Sequence, residues 1–443
     1  MDILPEAEPE KVQTASPFNF TSHPIEDSTG DFDTDTDRID IDTSRSRDVN
    51  EVRVSRGNLA LAAVRQQGKG LFQESYLNKK FNGRRTVREN QESIIRGGGS
   101  SYRLMEFSRG LGALLAMYEA TNEKQYLDEA FDLAERVIAV AQKGKEIKNN
   151  PKNFKDDFYG WANKNPNFEK RKSGGQHLQE IPLFESYLFR YLAKMSYLVK
   201  TDAGLKADSE FIKRADKLSD FVKTNGWDKW YQRGEKQRPG CFPYLFRQRT
   251  HMTSHWAIVA LYLRELSNSE AEKANYSKFL SLFDQQLKDN FRVGKNDAYV
   301  WNMTWDSAWP FGTACNKAPK SSIIQDVSHG NNVVTYVVEA HDLSKSVWSD
   351  VDIQRLANTV KYVLYNAEKN GFNKDLKGVF AANSSSCVGL SDGFVKLARY
   401  DAQLVDLFEK VSNGNLSNAK FSLDEPQFIA ELTLAKKMFV TEQ

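Results

Sequence analysis

Gln325-Asp326-Val327-Ser328-His329-Gly330-Asn331-Asn332, running on into Val333-Val334-Thr335-Tyr336-Val337-Val338 and ending near Leu343, decides how this chain is read. Asp326 and Ser328 are good N-cap residues, and Val333, Val334, Val337 and Val338 recur at i, i+1, i+4 and i+5, which predicts a helix with a buried face. His329, Asn331 and Asn332 then stand in the first turn of that helix. Paired amides and an imidazole rarely open a buried helix unless something there must be hydrogen-bonded.

Working outward, the same arrangement recurs. Helical patterns are expected over 58–67, 102–120, 126–143, 176–200, 208–224, 251–266, 272–290, 328–343, 352–370, 391–411 and 425–440. Those over 102–120, 176–200, 251–266, 328–343 and 391–411 are apolar nearly all round, whereas the segments between them carry one charged face. Alternation of buried and amphipathic helices is what an (α/α) barrel demands, since each hairpin cannot bury its inner helix alone. The expectation is therefore an all-α toroid of about five to seven helical hairpins, with an open helical solenoid as the other arrangement. Residues 53–443 would form one catalytic domain. Residues 1–52 would be a disordered acidic tail, rich in Asp, Ser, Thr and Pro.

Bulk properties narrow the function. The chain has 443 residues, 40% hydrophobic and 12% aromatic, enough for a large core. No apolar run approaches the length of a membrane span, and mean hydropathy is −0.60. Residues 1–50 hold 13 Asp/Glu against 4 Lys/Arg, a net of −9, which leaves +11 on the remainder and suits a polyanionic ligand. Lys and Arg are spread rather than striped, so nucleic acid is not the expected partner. Three dispersed cysteines, Cys241, Cys315 and Cys387, allow one bridge but neither a disulfide framework nor a zinc site. The alternating Asp31, Asp33, Asp35 and Asp37 lack the glycine and terminal Glu of a calcium loop and read as solvated linker. The start has no export signal as written, which fits a cytoplasmic chain or a mature periplasmic or secreted one, formerly lipid-anchored or not. Oligomeric state is not legible.

In a toroid, the connections entering the inner helices gather at one mouth, and the polar specialities concentrate there. Arg103 and Glu106 open the first inner helix, and His177, Gln179, Glu180 and Glu185 the second. Arg247, Arg249, His251 and His255 lead into the third, and His329, Asn331 and Asn332 into the fourth. Four of six histidines at three such starts is the signal. A loop with Tyr299, Trp301, Trp305 and Trp309 adds aromatic faces on which sugar rings stack.

Three chemistries use this inventory. Metal-independent β-elimination from a uronic-acid polymer needs donors that neutralise the carboxylate and groups that move protons. Asn331 or Asn332, His329, His251, His255, Arg247 and Tyr299 supply them, while Arg103, Glu106, His177, Gln179, Glu180, Arg249, Trp301 and Trp305 would hold the sugar chain. Glycoside hydrolysis needs two carboxyls, from among Glu180, Glu185, Asp306, Asp326 and Asp392. Metal chemistry would use His251 and His255 at i, i+4, but Met252 stands where H-E-x-x-H has Glu. No metal and no cofactor are expected. A non-catalytic carbohydrate-binding protein is the remaining alternative.

The helical alternation, the His/Asn/Arg/Tyr set and the aromatic loop, across roughly 55–440, resemble the (α/α)-barrel polysaccharide lyases acting on alginate or glucuronan. The resemblance implies an Asn-centred neutraliser on Asn331 or Asn332, a His base at His255 or His251, and Tyr299 as acid or as both acid and base. The implied substrate is an acidic polysaccharide or oligosaccharide.

Overall fold

A computed structural model describes residues 46–81, 83–168, 176–305, 323–344, 346–380, 389–390, 392–415 and 424–441. Its helices are α1 (Ser46–Gln73), α2 (Val87–Arg96), α3 (Ser101–Thr121), α4 (Lys124–Ala139), α5 (Pro182–Thr201), α6 (Ser209–Phe221) and α7 (Lys229–Gln237). They continue as α8 (Thr250–Leu266), α9 (Glu270–Asn290), α10 (Val327–Leu343), α11 (Asp350–Asn358), α12 (Gly393–Lys396), α13 (Ala402–Ser412) and α14 (Glu425–Thr441). Among the described residues, strands are confined to three two-stranded antiparallel ribbons: β1 (Gln142–Lys143) with β2 (Tyr159–Gly160), β3 (Arg292–Val293) with β4 (Tyr299–Val300), and β5 (Tyr365–Asn366) with β6 (Gly371–Phe372).

The inner helices close on themselves. Helix α3 packs on α5, α5 on α8, α8 on α10, α10 on α12, α12 on α14, and α14 returns to α3. Outside them, α4 lies on α3, α6 on α5, α9 on α8, α11 on α10 and α13 on α14, with α1 covering α14 and α2 covering α3. The fold is an all-α (α/α) toroid. Inner helices are buried on nearly every face: Leu104, Phe107, Leu111, Leu114 and Met117 of α3 have no exposure. Each such side chain contributes about 2 kcal/mol of hydrophobic burial. Close approach inside the ring requires glycine at two places. A Cβ on Gly112 would lie 2.3 Å from Gln427 Nε2, and one on Gly393 would lie 1.9 Å from the Asn331 carbonyl oxygen.

Several expectations change. Helix α1 starts at Ser46, inside the stretch read as tail. The second inner helix begins only at Pro182, because proline suits the first helical position and disfavours helix in the residue before it. His177, Gln179 and Glu180 therefore precede it. The stretch 391–411 is two helices: α12 with a tight turn through Arg399 is the inner piece, and Asp401 caps a separate outer helix, α13, through Gln403 N–H. Helix α14 completes the inner ring. The calcium-like Asp31–Asp37 run, Trp309 and Asp306 lie outside the described residues. Cys241 is disulfide-bonded, and Cys315 and Cys387 lie outside the described residues. No helix among the described residues is long and apolar enough to cross a membrane.

Candidate active site

Inner helices that touch around a ring must fill its axis with whatever their inward faces carry. Here the axis is polar and layered. The layer near the C-terminal ends of α5 and α10 is an ion network. Lys194 Nζ lies 2.8 Å from Glu119 and 3.3 Å from Glu339, and Lys396 Nζ lies 3.1 Å from Glu339 and 2.5 Å from Glu431. Arg399 joins Glu431 at 2.5 Å and Asp342 at 3.2 Å. Burial would raise the Glu339 carboxyl, but Lys194, Lys396 and Arg399 outweigh it and hold it at about 2. Lys194, Lys396, Glu339 and Glu431 in this layer are buried and tied to one another, so it serves as the floor.

Nearer the N-terminal ends of the inner helices lies a second layer of different character. Asp326, the N-cap of α10, accepts the His329 backbone N–H at 2.9 Å, and its other oxygen meets His329 Nδ1 at 2.7 Å. The His329 ring lies 4.2 Å from that of His251. One turn along α8, the His255 ring packs 3.9 Å from that of Tyr187. Both nitrogens of His255, and Nδ1 of His251, have no hydrogen-bond partner although they are buried. Burial holds both imidazoles well below the usual histidine range; neighbouring Arg190 and His251 add to this at His255, and His329 and Arg249 at His251. Both are therefore neutral at ordinary pH.

Tyr187 joins this layer to the α10 amide. Asn332 and Arg190 both neighbour its phenol, the Arg190 guanidinium lying 5.7 Å from its ring centroid. Arg190 in turn donates to Asn332 Oδ1 at 3.3 Å. Burial raises the Tyr187 phenol above its ordinary value, against the lowering pull of Arg190 and Arg109. The layer therefore places a phenol, an amide, a guanidinium and an uncharged imidazole side by side. Such a set can neutralise a carboxylate and move a proton near it.

The sequence-derived candidates divide. His251, His255, His329 and Asn332 meet in this layer. Asn331 does not: its amide donates to the Val327 carbonyl of its own helix and to the Gly389 carbonyl, and accepts from Phe394 N–H of α12 at 3.1 Å, so it is taken up in packing α10 against the chain around α12. Arg103 and Glu106 turn to α2, where Arg103 meets Asn90 at 2.5 Å. Arg247 is exposed and bonds the Pro243 carbonyl at 3.1 Å. Arg249 is the half-buried N-cap of α8, beside His251. His177 and Gln179 lie half-buried in the loop ahead of α5, where their carbonyls accept from Asn149 and Asn163.

Tyr299 is the largest departure. Its hydroxyl donates to Asp352 at 2.7 Å and its carbonyl accepts from Thr359, which pins the β3–β4 ribbon to the outer helix α11. Trp301 and Trp305 are core residues, 0% and 1% exposed; the first packs on Phe291 and Phe394, the second on Phe246 and Phe283. An aromatic-rich loop packs inward here because ribbon and outer helix leave an apolar gap that only large rings fill. Tyr299→Phe is accordingly expected to leave turnover within about threefold of the parent while costing about 1 kcal/mol of stability in a urea titration.

The carboxylates read as a hydrolytic pair are committed elsewhere. Glu180 and Glu185 are wholly buried against Lys229, whose Nζ lies 3.0 Å and 2.6 Å from them, and Arg233 adds a contact of 2.9 Å to Glu180. Asp392 is ion-paired with Arg190 at 3.2 Å, and Asp326 holds His329. Among the described residues no group of three or more His, Cys, Asp or Glu is arranged to hold a metal. A cavity of about 420 Å³ at the opposite end of the ring is lined by His341, Asp342, Leu343, Ser344 and Tyr400. His341 is already bonded there, to Asp350 at 2.9 Å and Tyr400 at 3.3 Å.

Sequence reading missed Tyr187, Arg190 and Arg109. Their signal was available in the spacing: Tyr187, Arg190, Tyr191 and Lys194 recur at helical intervals along an otherwise apolar inner helix, one polar stripe facing the axis.

No protein-family model and no curated protein matches the chain. Among solved structures it is similar to an α-1,6-mannanase, GH76A, of Salegentibacter sp. HEL1_6, at 13% identity over 86% of this chain and 99% of that one, with a TM-score of 0.41. A family 76 glycoside hydrolase from a bovine Bacteroides thetaiotaomicron strain is 10% identical over 86% of this chain and 78% of that one, at 0.43. A polysaccharide lyase is 11% identical over 80% and 98%, at 0.40. Identities this low leave the chemistry to the side chains described above.

Proposed function

We infer that the protein is a carbohydrate-active enzyme, a polysaccharide lyase that cleaves a uronic-acid polymer by β-elimination. The observation that carries this reading is the contact of Tyr187 with Asn332, Arg190 and the unpartnered, neutral His255. In this reaction Asn332, with Arg190 behind it, stabilises the charge that grows on the uronate carboxylate. Tyr187 reacts in its ionised form, with the uncharged His255 ring packed against it. The phenolate then removes the proton α to the carboxylate, the electron pair forms the carbon–carbon double bond, and the glycosidic oxygen leaves. Tyr187 returns the abstracted proton to that oxygen, so one residue serves as base and then as acid. Arg109, on the same side as Tyr187, and the half-exposed His329 flank the position of the sugar. The disulfide at Cys241 and the basic body are in keeping with a periplasmic or secreted enzyme acting on an acidic polymer.

The test is incubation with alginate, glucuronan and pectin, with an α-1,6-mannan as neutral control. Ultraviolet absorbance of an unsaturated uronyl product, from at least one acidic polymer, is the expected result. New reducing ends without that absorbance would overturn the lyase reading in favour of hydrolysis.

A further inference from the structure

Beneath Tyr187 the site is assembled around a single carboxylate. Asp392 is 1% exposed and precedes α12, where Gly393 lets the chain press against the Asn331 backbone. Its Oδ2 accepts the Tyr191 hydroxyl at 2.8 Å and lies 3.2 Å from Arg190 Nη2. The Tyr191 oxygen accepts from that same Nη2 at 2.8 Å and from Gln427 Nε2 at 2.6 Å. Two donors and one acceptor thus meet at one phenol oxygen, and they come from α5, α14 and the start of α12. Arg190 Nη1 reaches the other way, to Asn332 Oδ1, and its buried Nε has no partner. The guanidinium is strung between the Asp392 carboxylate on one side and the Asn332 amide on the other.

The surrounding charges matter to what this does. Asp392 faces Arg190 and Lys396; Tyr187 faces Arg190, Arg109 and Asp392; His255 faces Arg190, His251 and His329. Arg190 is the one cation common to all three sets.

We propose that Asp392 is the positioning residue of this site: it anchors Arg190 against Asn332 and offsets its charge, so that the guanidinium backs the amide that meets the substrate carboxylate. The proposal rests on Tyr187 as the reacting phenol, and Asp392 itself touches no substrate. Burial and Asp392 raise the Tyr187 phenol whereas Arg190 and Arg109 lower it, so loss of the carboxylate tips the balance toward the lowering side.

Asp392→Asn is therefore expected to reduce kcat on the order of 100-fold with KM changed by less than about threefold, because an orienting contact used in the transition state is lost. The rising limb of its pH–rate profile should move to lower pH, and Asp392→Glu should recover about tenfold of the lost rate. A second readout needs no substrate. The tyrosinate absorbance attributable to Tyr187, taken as the difference from a Tyr187→Phe companion in each background, should appear at lower pH in Asp392→Asn. An unmoved titration, or a variant that loses only thermal stability, overturns the proposal. A parent protein inactive on every acidic polymer, with the titration still shifted, overturns the lyase reading and sustains the Asp392–Arg190–Tyr187 coupling. Should Asp392→Asn fail to fold, Tyr191→Phe removes all three bonds at that phenol oxygen without changing charge. Its kcat should fall about tenfold with the pH limb in place, and an unchanged kcat overturns the proposal.

Discussion

Tyr187→Phe is expected to lower kcat on an acidic polymer by about 1,000-fold or more while binding of the polymer is kept, since general acid and general base catalysis are lost together. The phenol stands between the amide and the imidazoles: Asn332 and Arg190 neighbour it, and its ring lies against His255. The ring itself stays, so packing and stability should change little. Steady-state kinetics beside equilibrium binding of the same polymer separates the two effects. Turnover within about tenfold of the parent would remove Tyr187 from the mechanism. The parent enzyme's pH profile carries a related expectation. Burial raises the Tyr187 phenol, so its reactive phenolate becomes more abundant as pH rises, and kcat/KM should climb from neutral into the alkaline range. Burial keeps His255 and His251 neutral across that range, so no second rising limb belongs to them near the ordinary histidine value.

Lys229→Met should be the most damaging single change to stability, at roughly 3–5 kcal/mol in a denaturant titration. Lys229, Glu180 and Glu185 are each 0% exposed at their side chains. Removing the ammonium leaves Glu185 with only the Trp161 N–H and the Trp230 indole N–H, and takes away the bond that ties Lys229 to the Tyr159 carbonyl of β2. The loss should also depend on pH in a defined direction. Glu185 is raised by burial, then further by Glu180, and is held back by Lys229. A carboxyl raised in the folded state favours folding most where it is protonated and loses that contribution as pH rises through the folded value. Without Lys229 the raising influences lose their main opponent. The deficit should therefore be smaller at about pH 4, near the unperturbed carboxyl value, than at about pH 8. Equal deficits at both would show that the three charges do not act as one buried unit.

Much of the fold was legible because burial leaves a periodic record. Valines at 333, 334, 337 and 338 announce the inner face of α10, and the all-apolar patterns of α3 and α8 announce theirs. Boundaries were less legible. Pro182 stops the upstream Gln176–Ile181 stretch from joining α5, and Asp401 splits α12 from α13, both through local backbone chemistry that hydropathy does not register. Helix α14 escaped notice as an inner helix although Phe428, Ile429, Ala430 and Leu432 are buried, because Glu431, Lys436 and Lys437 give it the look of a surface helix. Charge matched inside a ring reads in sequence like charge facing water.

The same ambiguity governs the site. By itself the sequence determined that the inner helices would be apolar, that His329 and the paired amides would open one of them, and that His251 and His255 would lie one turn apart on another. Tertiary structure alone decided which polar groups share the axis. It turned Asn332 toward Tyr187 and Arg190, spent Asn331 on α12, and placed Tyr299 against Asp352 on the outer ring. The reason is rotational. Period and capping fix a helix and its buried stripe, but which part of that stripe faces the axis and which faces a neighbouring helix depends on how six inner helices pack around a closed ring.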